Sequence, residues 1–290
     1  MSSLSLKSPA KINLTLDIVS RREDGYHELV SLICPIGLYD DVRLSPAARL
    51  EVVCAHPDVP GGETNLAYRA ARLFLDRVDP GGGQRIDLTK RIPVGGGLGG
   101  GSGNAATVLV GLNQIYGRPL APDALMALGG QLGADVPFFI LGRPAVAMGI
   151  GERLSAVVGL PRRWAVVVYP GFGVSTREAY EGLGCNVSDP NLALTKSENL
   201  HKSLLLKVRN GPPESYLHND LEAVILPRHP ALVEARRALV QNGAVGALMT
   251  GSGSCVFGLF SDVESADTAR QNLSRDPSWG VCTAPLLTDG

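Results

Sequence analysis

Between Lys90 and Ala106 the chain reads KRIPVGGGLGGGSGNAA, with seven glycines in the nine positions 95–103. Such a run lets backbone N–H groups close on an anion with no Cβ in the way. Ala105, Val108, Leu109, Leu112 and Ile115 follow at helical spacing. The run therefore opens a helix, whose unpaired N–H groups and dipole favour negative charge. Phosphate binding is the chemistry implied, and several versions of it compete. Gly95, Gly97 and Gly100 satisfy the dinucleotide pattern G-x-G-x-x-G. That unit needs a second strand ending in an acidic residue, however, and after Tyr116 comes GRPLAPDALMAL, a turn and another helix. A P-loop needs Lys and then Ser or Thr after its last glycine, where this chain has Asn104 and Ala105. A loop that cradles a triphosphate with backbone alone meets neither objection, with Ser102 at the helix start and cations brought from elsewhere. A glycine bend that merely packs helix on sheet remains the plain alternative.

The elements that must position such a loop follow from the hydrophobic period. Ile12, Leu14, Leu16 and Ile18 alternate with Lys11, Asn13, Thr15 and Asp17, which predicts a strand with one buried face and Lys11 and Asn13 sharing the other. RREDGYHEL (21–29) reads as a polar turn before the apolar run 30–38, and residues 42–54 read as short strands around a proline turn, so the chain opens as an antiparallel meander. Thr64 to Arg77 predicts a helix capped by Thr64, with Leu66, Ala70, Leu73 and Phe74 on one face. Residues 84–94 form a strand that delivers the glycine run. A helix over Pro122–Leu132, a chain restart at GADVPFFI (133–140), a buried strand at Trp164–Pro170 and a helix over Ala231–Leu239 come next. GALMTGSGSCVFGLF (246–260) reads strand, glycine turn, strand. The polar stretch 182–216 carries no clear period. Taken locally, Asp135 before Pro137 reads as a helix N-cap, Lys11 as a solvated lysine, and GYHEL as a turn with a half-buried aromatic.

Composition bounds the rest. A chain of 290 residues with 44% hydrophobic and 19% charged residues can bury one large or two medium cores. A formal net charge of -1 gives no global field for nucleic acid. Five cysteines, none spaced C-x-x-C, argue against a disulfide framework or a zinc site and for a reducing cytoplasm. No segment is long and apolar enough to span a membrane, and the residues before the first strand are too few for a targeting peptide. Oligomeric state is not legible.

PVGGGLGGGSGNAA resembles the phosphate loop of the small-molecule kinases that include galactokinase, homoserine kinase, mevalonate kinase and phosphomevalonate kinase. SPAKINLTLDI and MTGSGSCVFGLF resemble that family's N-terminal and C-terminal motifs, in the same order along the chain. PAKINLTLDIVSRREDGYHEL, GADVPFF and NDLE (219–222) resemble more narrowly the members that phosphorylate the 2-hydroxyl of a CDP-linked methylerythritol in the non-mevalonate route to isoprenoid precursors. The resemblance implies an α+β, two-domain architecture. An N-terminal nucleotide-binding domain (1–155) would contain a left-handed βαβ crossover, and a smaller α/β-sandwich domain (156–290) would follow.

It also implies roles. Asp135 would accept the proton of the substrate hydroxyl, and Lys11 would hold Asp135 ionised and bring positive charge to the reacting groups. ATP would be held by Asn65, Lys90, Pro93, Gly95, Gly96, Gly97, Leu98, Gly99, Gly100, Gly101, Ser102, Gly103 and Asn104. Asn13, Tyr26, His27 and Tyr180 would take the CDP-linked alcohol, the Tyr rings by stacking and His27 through one donor and one acceptor. Gly251, Ser252 and Gly253 would shape the cleft. Magnesium is expected with ATP, without assigned ligands beyond Ser102 as a candidate. The chain departs from the family pattern at Gly103, where Ser is frequent, and at Ser254, where Pro is frequent.

Overall fold

The alternation around Lys11–Ile18 lies inside a strand of eighteen residues that is covered on both faces. The computed structural model describes residues 3–78, 83–185 and 189–288. Its elements are, in chain order, β1 (Leu4–Arg21), β2 (His27–Pro46), β3 (Glu51–Cys54), α1 (Leu66–Val78), β4 (Gln84–Thr89), α2 (Gly100–Ile115), α3 (Pro122–Gly130), α4 (Val136–Leu141), β5 (Ala145–Gly149), β6 (Arg153–Ala156), β7 (Trp164–Tyr169), α5 (Thr176–Glu181), α6 (Pro190–Asn210), β8 (His218–Asn219), α7 (Glu222–Ile225), α8 (Pro230–Gln241), β9 (Gly246–Met249), β10 (Val256–Phe260), α9 (Val263–Leu273) and β11 (Gly280–Pro285). The chain is α+β and forms two compact units that interleave in sequence. One takes the chain up to Ala10, Leu38–Val94 and Gly99–Gly142; the other takes Lys11–Gly37, Gly95–Leu98 and the chain from Arg143 onward.

In the first unit β3 pairs parallel with β4 (Glu51 opposite Arg85), with α1 as the crossover, and β4 pairs antiparallel with β2 (Asp41 opposite Thr89). Helices α1 and α2 pack together, and α2 packs against α4. Phe74, Ile86, Ile92 and Leu44 lie fully buried in this unit's core. Asn65, rather than Thr64, caps α1: its Oδ1 accepts from the Ala67 N–H at 2.8 Å, and its amide donates to the Pro60 carbonyl at 2.6 Å. After α2 the chain enters α3 and no strand, which removes the dinucleotide unit.

In the second unit β2 pairs antiparallel with β5, β5 with β6, and β1 parallel with β8 (Thr15 opposite His218). A separate antiparallel sheet has the order β11-β7-β10-β9, with α8 and α9 packed on it. Beside the predicted buried face, the face of β1 that Lys11 and Asn13 share is covered too: Lys11, Asn13 and Thr15 are as buried as their apolar neighbours. Each polar group has a partner inside the unit. The Asn13 amide donates to Ser31 Oγ at 2.8 Å, the Asn13 N–H donates to Thr250 Oγ1 at 3.0 Å, and the Thr15 hydroxyl donates to the Tyr216 carbonyl. Buried polar groups persist only on such terms. The unreadable stretch contains α6, a helix of 21 residues capped by Asp189, which accepts from the Asn191 and Leu192 N–H groups. Leucines 192, 194, 205 and 206 are exposed while Ala193, Ser197, Leu204 and Val208 face inward, which blurs the period.

The NDLE segment is an anchor. Asn219 donates to the Met249 and Gly251 carbonyls at 2.7 and 2.9 Å and accepts from the Leu221 N–H. Glu222 accepts from the Met249 N–H at 2.8 Å and pairs with Arg236; burial pushes its carboxyl above the usual range, with the Met249 N–H and Arg236 pulling it back. Asn219→Ala orphans two carbonyls and one N–H in the interior. It should lower stability by about 2 kcal/mol, read by urea unfolding, with an unchanged dependence on urea concentration.

Candidate active site

The glycine run does two jobs in succession. Gly95, Gly97 and Gly99 take φ values of 75, 79 and 72°, a region closed to most side chains. At Gly97 the constraint is double: a Cβ would lie 2.3 Å from the Thr250 carbonyl oxygen and 3.0 Å from that of Gly253. Gly96 accepts at its carbonyl from the Cys255 N–H at 3.0 Å, and the Leu98 carbonyl accepts from the Lys11 N–H at 2.9 Å. Residues 95–98 are thus moulded onto β1 and onto the turn at 250–255.

From Gly100 the run is helix. Gly99 caps α2 in the left-handed conformation with no side-chain bond, and the first intrahelical bond runs from the Gly103 N–H to the Gly99 carbonyl at 2.9 Å. The N–H groups of Gly100, Gly101 and Ser102 precede that bond, as an anion site at a helix start requires. Ser102 is half-buried there. Gly103 serves packing instead. A Cβ on it would sit 2.9 Å from the Pro9 carbonyl oxygen and 3.1 Å from Ser8 Oγ, so a side chain at 103 points at β1.

Lys90 and Asn104 come together around a residue that the sequence did not flag. Asp40 is fully buried, and its carboxylate takes four donors. These are the Arg91 and Ile92 N–H groups at 2.7 and 2.9 Å, the Asn104 amide at 3.0 Å and the Lys90 ammonium. The Lys90 ammonium also donates to Asn104 Oδ1 at 3.0 Å, and the Asn104 amide also donates to Ser8 Oγ at 3.0 Å. The head groups of Lys90 and Asn104 are engaged in fixing the two ends of the loop. Pro93, half-buried, lies between them. Only the sequence position of Asp40, opposite the end of β4, could have hinted at this role.

In the second unit the Lys11 ammonium donates to Asn13 Oδ1 at 2.6 Å. A Cβ built on Gly251 would lie 3.3 Å from that ammonium, 3.4 Å from Asn13 Oδ1 and 3.4 Å from the Gly97 carbonyl oxygen. Lys11, Asn13, the loop backbone and the 250–255 turn therefore converge. Ser254 is buried, and its hydroxyl donates to the Phe172 carbonyl, tying that turn to the chain between β7 and α5. The rings of His27 and Tyr180 lie 5.1 Å apart, tilted by 41°, while Tyr26, next to His27 in the chain, is 61% exposed. Burial, and then the nearby Arg21 guanidinium, hold His27 below its ordinary 6.5, so at pH 7 the ring is neutral, with one donor and one acceptor.

Asp135 stands at the N-cap position of α4, half-buried. Its backbone is already helical (φ -79°, ψ -17°), and its side chain makes no capping bond. A capping residue has extended backbone and bonds the next turn, so the plain cap reading does not describe it. All five cysteines are free thiols, and no helix among the described residues is long and apolar enough to cross a membrane.

Two measurements test this electrostatic frame. Lys90→Met leaves a buried, unpaired carboxylate and should cost about 3 kcal/mol in chemical denaturation, whereas Lys90→Met with Asp40→Asn should recover part of that loss. An NMR titration of the His27 ring should give a midpoint below 6.5. Protonation then destabilises the fold as pH falls below 6.5, where the unfolded chain binds the proton more readily.

The parts of the chain that carry the glycine loop and the 250–255 turn match known domains. Residues 65–143 match the GHMP kinases N terminal domain, and residues 203–277 match the GHMP kinases C terminal domain. A 4-diphosphocytidyl-2-C-methyl-D-erythritol kinase of Pelobacter propionicus is 43% identical over 289 residues, covering 99% of this chain and 100% of that protein. The kinase of the same name from Geobacter sulfurreducens is 43% identical over 281 residues, covering 96% and 97%. Among solved structures, a 4-(cytidine 5'-diphospho)-2C-methyl-D-erythritol kinase superposes with a TM-score of 0.80 at 39% identity, covering 98% of this chain and 99% of that one. Homoserine kinase from Cytophaga hutchinsonii shares the fold, with a TM-score of 0.76 at 18% identity over 99% and 95% of the two chains. The chain belongs to the GHMP kinase family.

Proposed function

We propose that this kinase transfers the γ-phosphoryl group of ATP to the 2-hydroxyl of 4-diphosphocytidyl-2-C-methyl-D-erythritol, giving the 2-phosphate and ADP. The observation that carries the reading is the His27–Tyr180 ring pair beside exposed Tyr26. The pair sets a neutral imidazole, with one donor and one acceptor, next to aromatic surface, a combination suited to a pyrimidine base. It agrees with the activity named for relatives that are 43% identical over nearly the full length.

The chemistry asks for positioning and charge stabilisation rather than covalent help. The N–H groups of Gly100–Ser102 and the glycine backbone before them would take the phosphates, with Asn65 and the backbone around Lys90 and Pro93 toward the nucleoside. The donor set suits phosphate oxygens: backbone N–H groups at a helix start, with no side-chain capping bond from the residue before them. The substrate hydroxyl attacks the γ-phosphorus, a new P–O bond forms, and the bond to the β-phosphate oxygen breaks to release ADP. Asp135 accepts the hydroxyl proton. Lys11, oriented by Asn13, offsets the charge that builds on the transferring group. Magnesium would arrive with the phosphates and neutralise part of their charge, with the Ser102 hydroxyl the candidate protein ligand.

Purified enzyme supplied with ATP, magnesium and the CDP-linked alcohol should form ADP and a phosphomonoester, followed by coupled ADP release and phosphorus NMR. Turnover of homoserine or mevalonate in place of the cytidylyl alcohol would refute the substrate assignment. Asp135→Asn should lower kcat by about 100-fold or more while the KM for ATP stays within about twofold.

A further inference from the structure

The turn that carries Tyr26 and His27 is tied into the second unit by a chain of charges. Its backbone is closed by the Arg22 N–H donating to the Tyr26 carbonyl at 2.8 Å and the Gly25 N–H donating to the Arg22 carbonyl at 3.1 Å, with Gly25 at φ 87°. Asp24 Oδ1 accepts from the Tyr26 N–H at 3.1 Å, so both backbone polar groups of Tyr26 are fixed. The Arg22 guanidinium grips Asp24 at 2.9 Å and also reaches Glu28 Oε2 at 3.5 Å.

Glu28 is the hub. It directly follows His27, and its side chain is 9% exposed. Its Oε1 accepts from Arg153 on β6 at 2.5 Å and from the hydroxyl of fully buried Ser197 on α6 at 3.4 Å. The route Arg153–Glu28–Arg22–Asp24 thus runs from a strand of the sheet to the main chain of Tyr26. Exposed ion pairs such as Arg22–Asp24 add little to stability alone. A buried carboxylate is no better on that score than an apolar side chain of the same volume. What such a network does supply is one fixed geometry, which lowers the entropy lost when a ligand binds.

We propose that Glu28 and Arg153 are positioning residues of the base pocket. Through Arg22 and Asp24 they hold Tyr26 and His27 in the binding arrangement, so this network sets the affinity for the cytidine end of the alcohol and leaves ATP handling alone. The inference rests on Tyr26 and His27 taking the base, and the experiment separates the two. Steady-state kinetics with ATP and the CDP-linked alcohol are measured for Arg153→Met, Arg153→Lys, Tyr26→Ala and His27→Ala, with thermal melting of each. Arg153→Met should raise the KM for the alcohol about five- to tenfold, the effect of losing one charge-assisted bond, with the KM for ATP and kcat within about twofold. Arg153→Lys should restore most of the loss. If Arg153→Met melts early, Arg22→Met at the exposed tip provides the same readout without touching the sheet. An unchanged KM for the alcohol in the Arg variants, alongside raised values in Tyr26→Ala and His27→Ala, overturns the network and spares the base assignment. Unchanged values in Tyr26→Ala and His27→Ala overturn the base assignment and the network with it. Equal rises in both KM values would reduce Arg153 to a general structural role.

Discussion

A carboxylate cut off from water must find donors for both oxygens, and Asp40 does so by recruiting both ends of the glycine run. Two successive N–H groups from Arg91 and Ile92 bind one oxygen; the Lys90 ammonium and the Asn104 amide bind the other. The chain just before the loop and the start of the second turn of α2 after it are therefore fixed to one point. Glycine is the worst residue for holding a conformation by itself, because it has the most freedom to lose. A loop made almost entirely of glycine can be precise only if its ends are clamped. Asp40 is that clamp within the first unit, and it lies fifty residues before Lys90 in sequence.

The same logic sorts the polar residues around the candidate site. A buried side chain whose polar atoms are satisfied by the protein holds its neighbours in place. Asn104 positions both ends of the loop in this way, with its oxygen accepting from Lys90 and its amide shared between Ser8 and Asp40. Asn219 is another, holding the turn at Met249–Gly251 from below. Thr250 and Ser31 act similarly on Asn13, fixing its side chain so that Oδ1 meets the Lys11 ammonium. Asp135 differs from these residues in standing at a helix start without a capping bond.

Much of this was legible in the sequence because local rules were decisive. Period two found β1, the glycine run announced a helix start, and the strand-turn-strand at 246–260 appears as β9 and β10 around the turn. The missing strand after α2 could be read from GRPLAPDALMAL. What escaped depended on distant partners. The polar stripe of β1 reads as solvent-facing until Ser31, Thr250 and Tyr216 arrive to satisfy it. Asp40 reads as one acidic residue in a strand. Asn65 and Thr64 are equally good caps by type, and the chain's entry into α1 selects Asn65. Helix α6 was hidden because its leucines face outward as well as in, leaving Asp189-Pro190 as its only local signal.

The departures at Gly103 and Ser254 show why a motif must be read with its neighbours. At 103 a serine would direct its side chain toward Pro9 and Ser8, so glycine there permits close packing of α2 on β1 rather than removing a group from the phosphates. At 254 the buried hydroxyl that replaces a proline ring donates to the Phe172 carbonyl and fastens the turn by a bond that proline could not make. Rigidity at this turn matters because the Thr250 carbonyl lies where any Cβ on Gly97 would have to go. A turn free to move would widen that gap and let residues 95–98 lose their shape. Two sequence changes that look like losses are thus met within the fold by contacts that hold the same backbone in place.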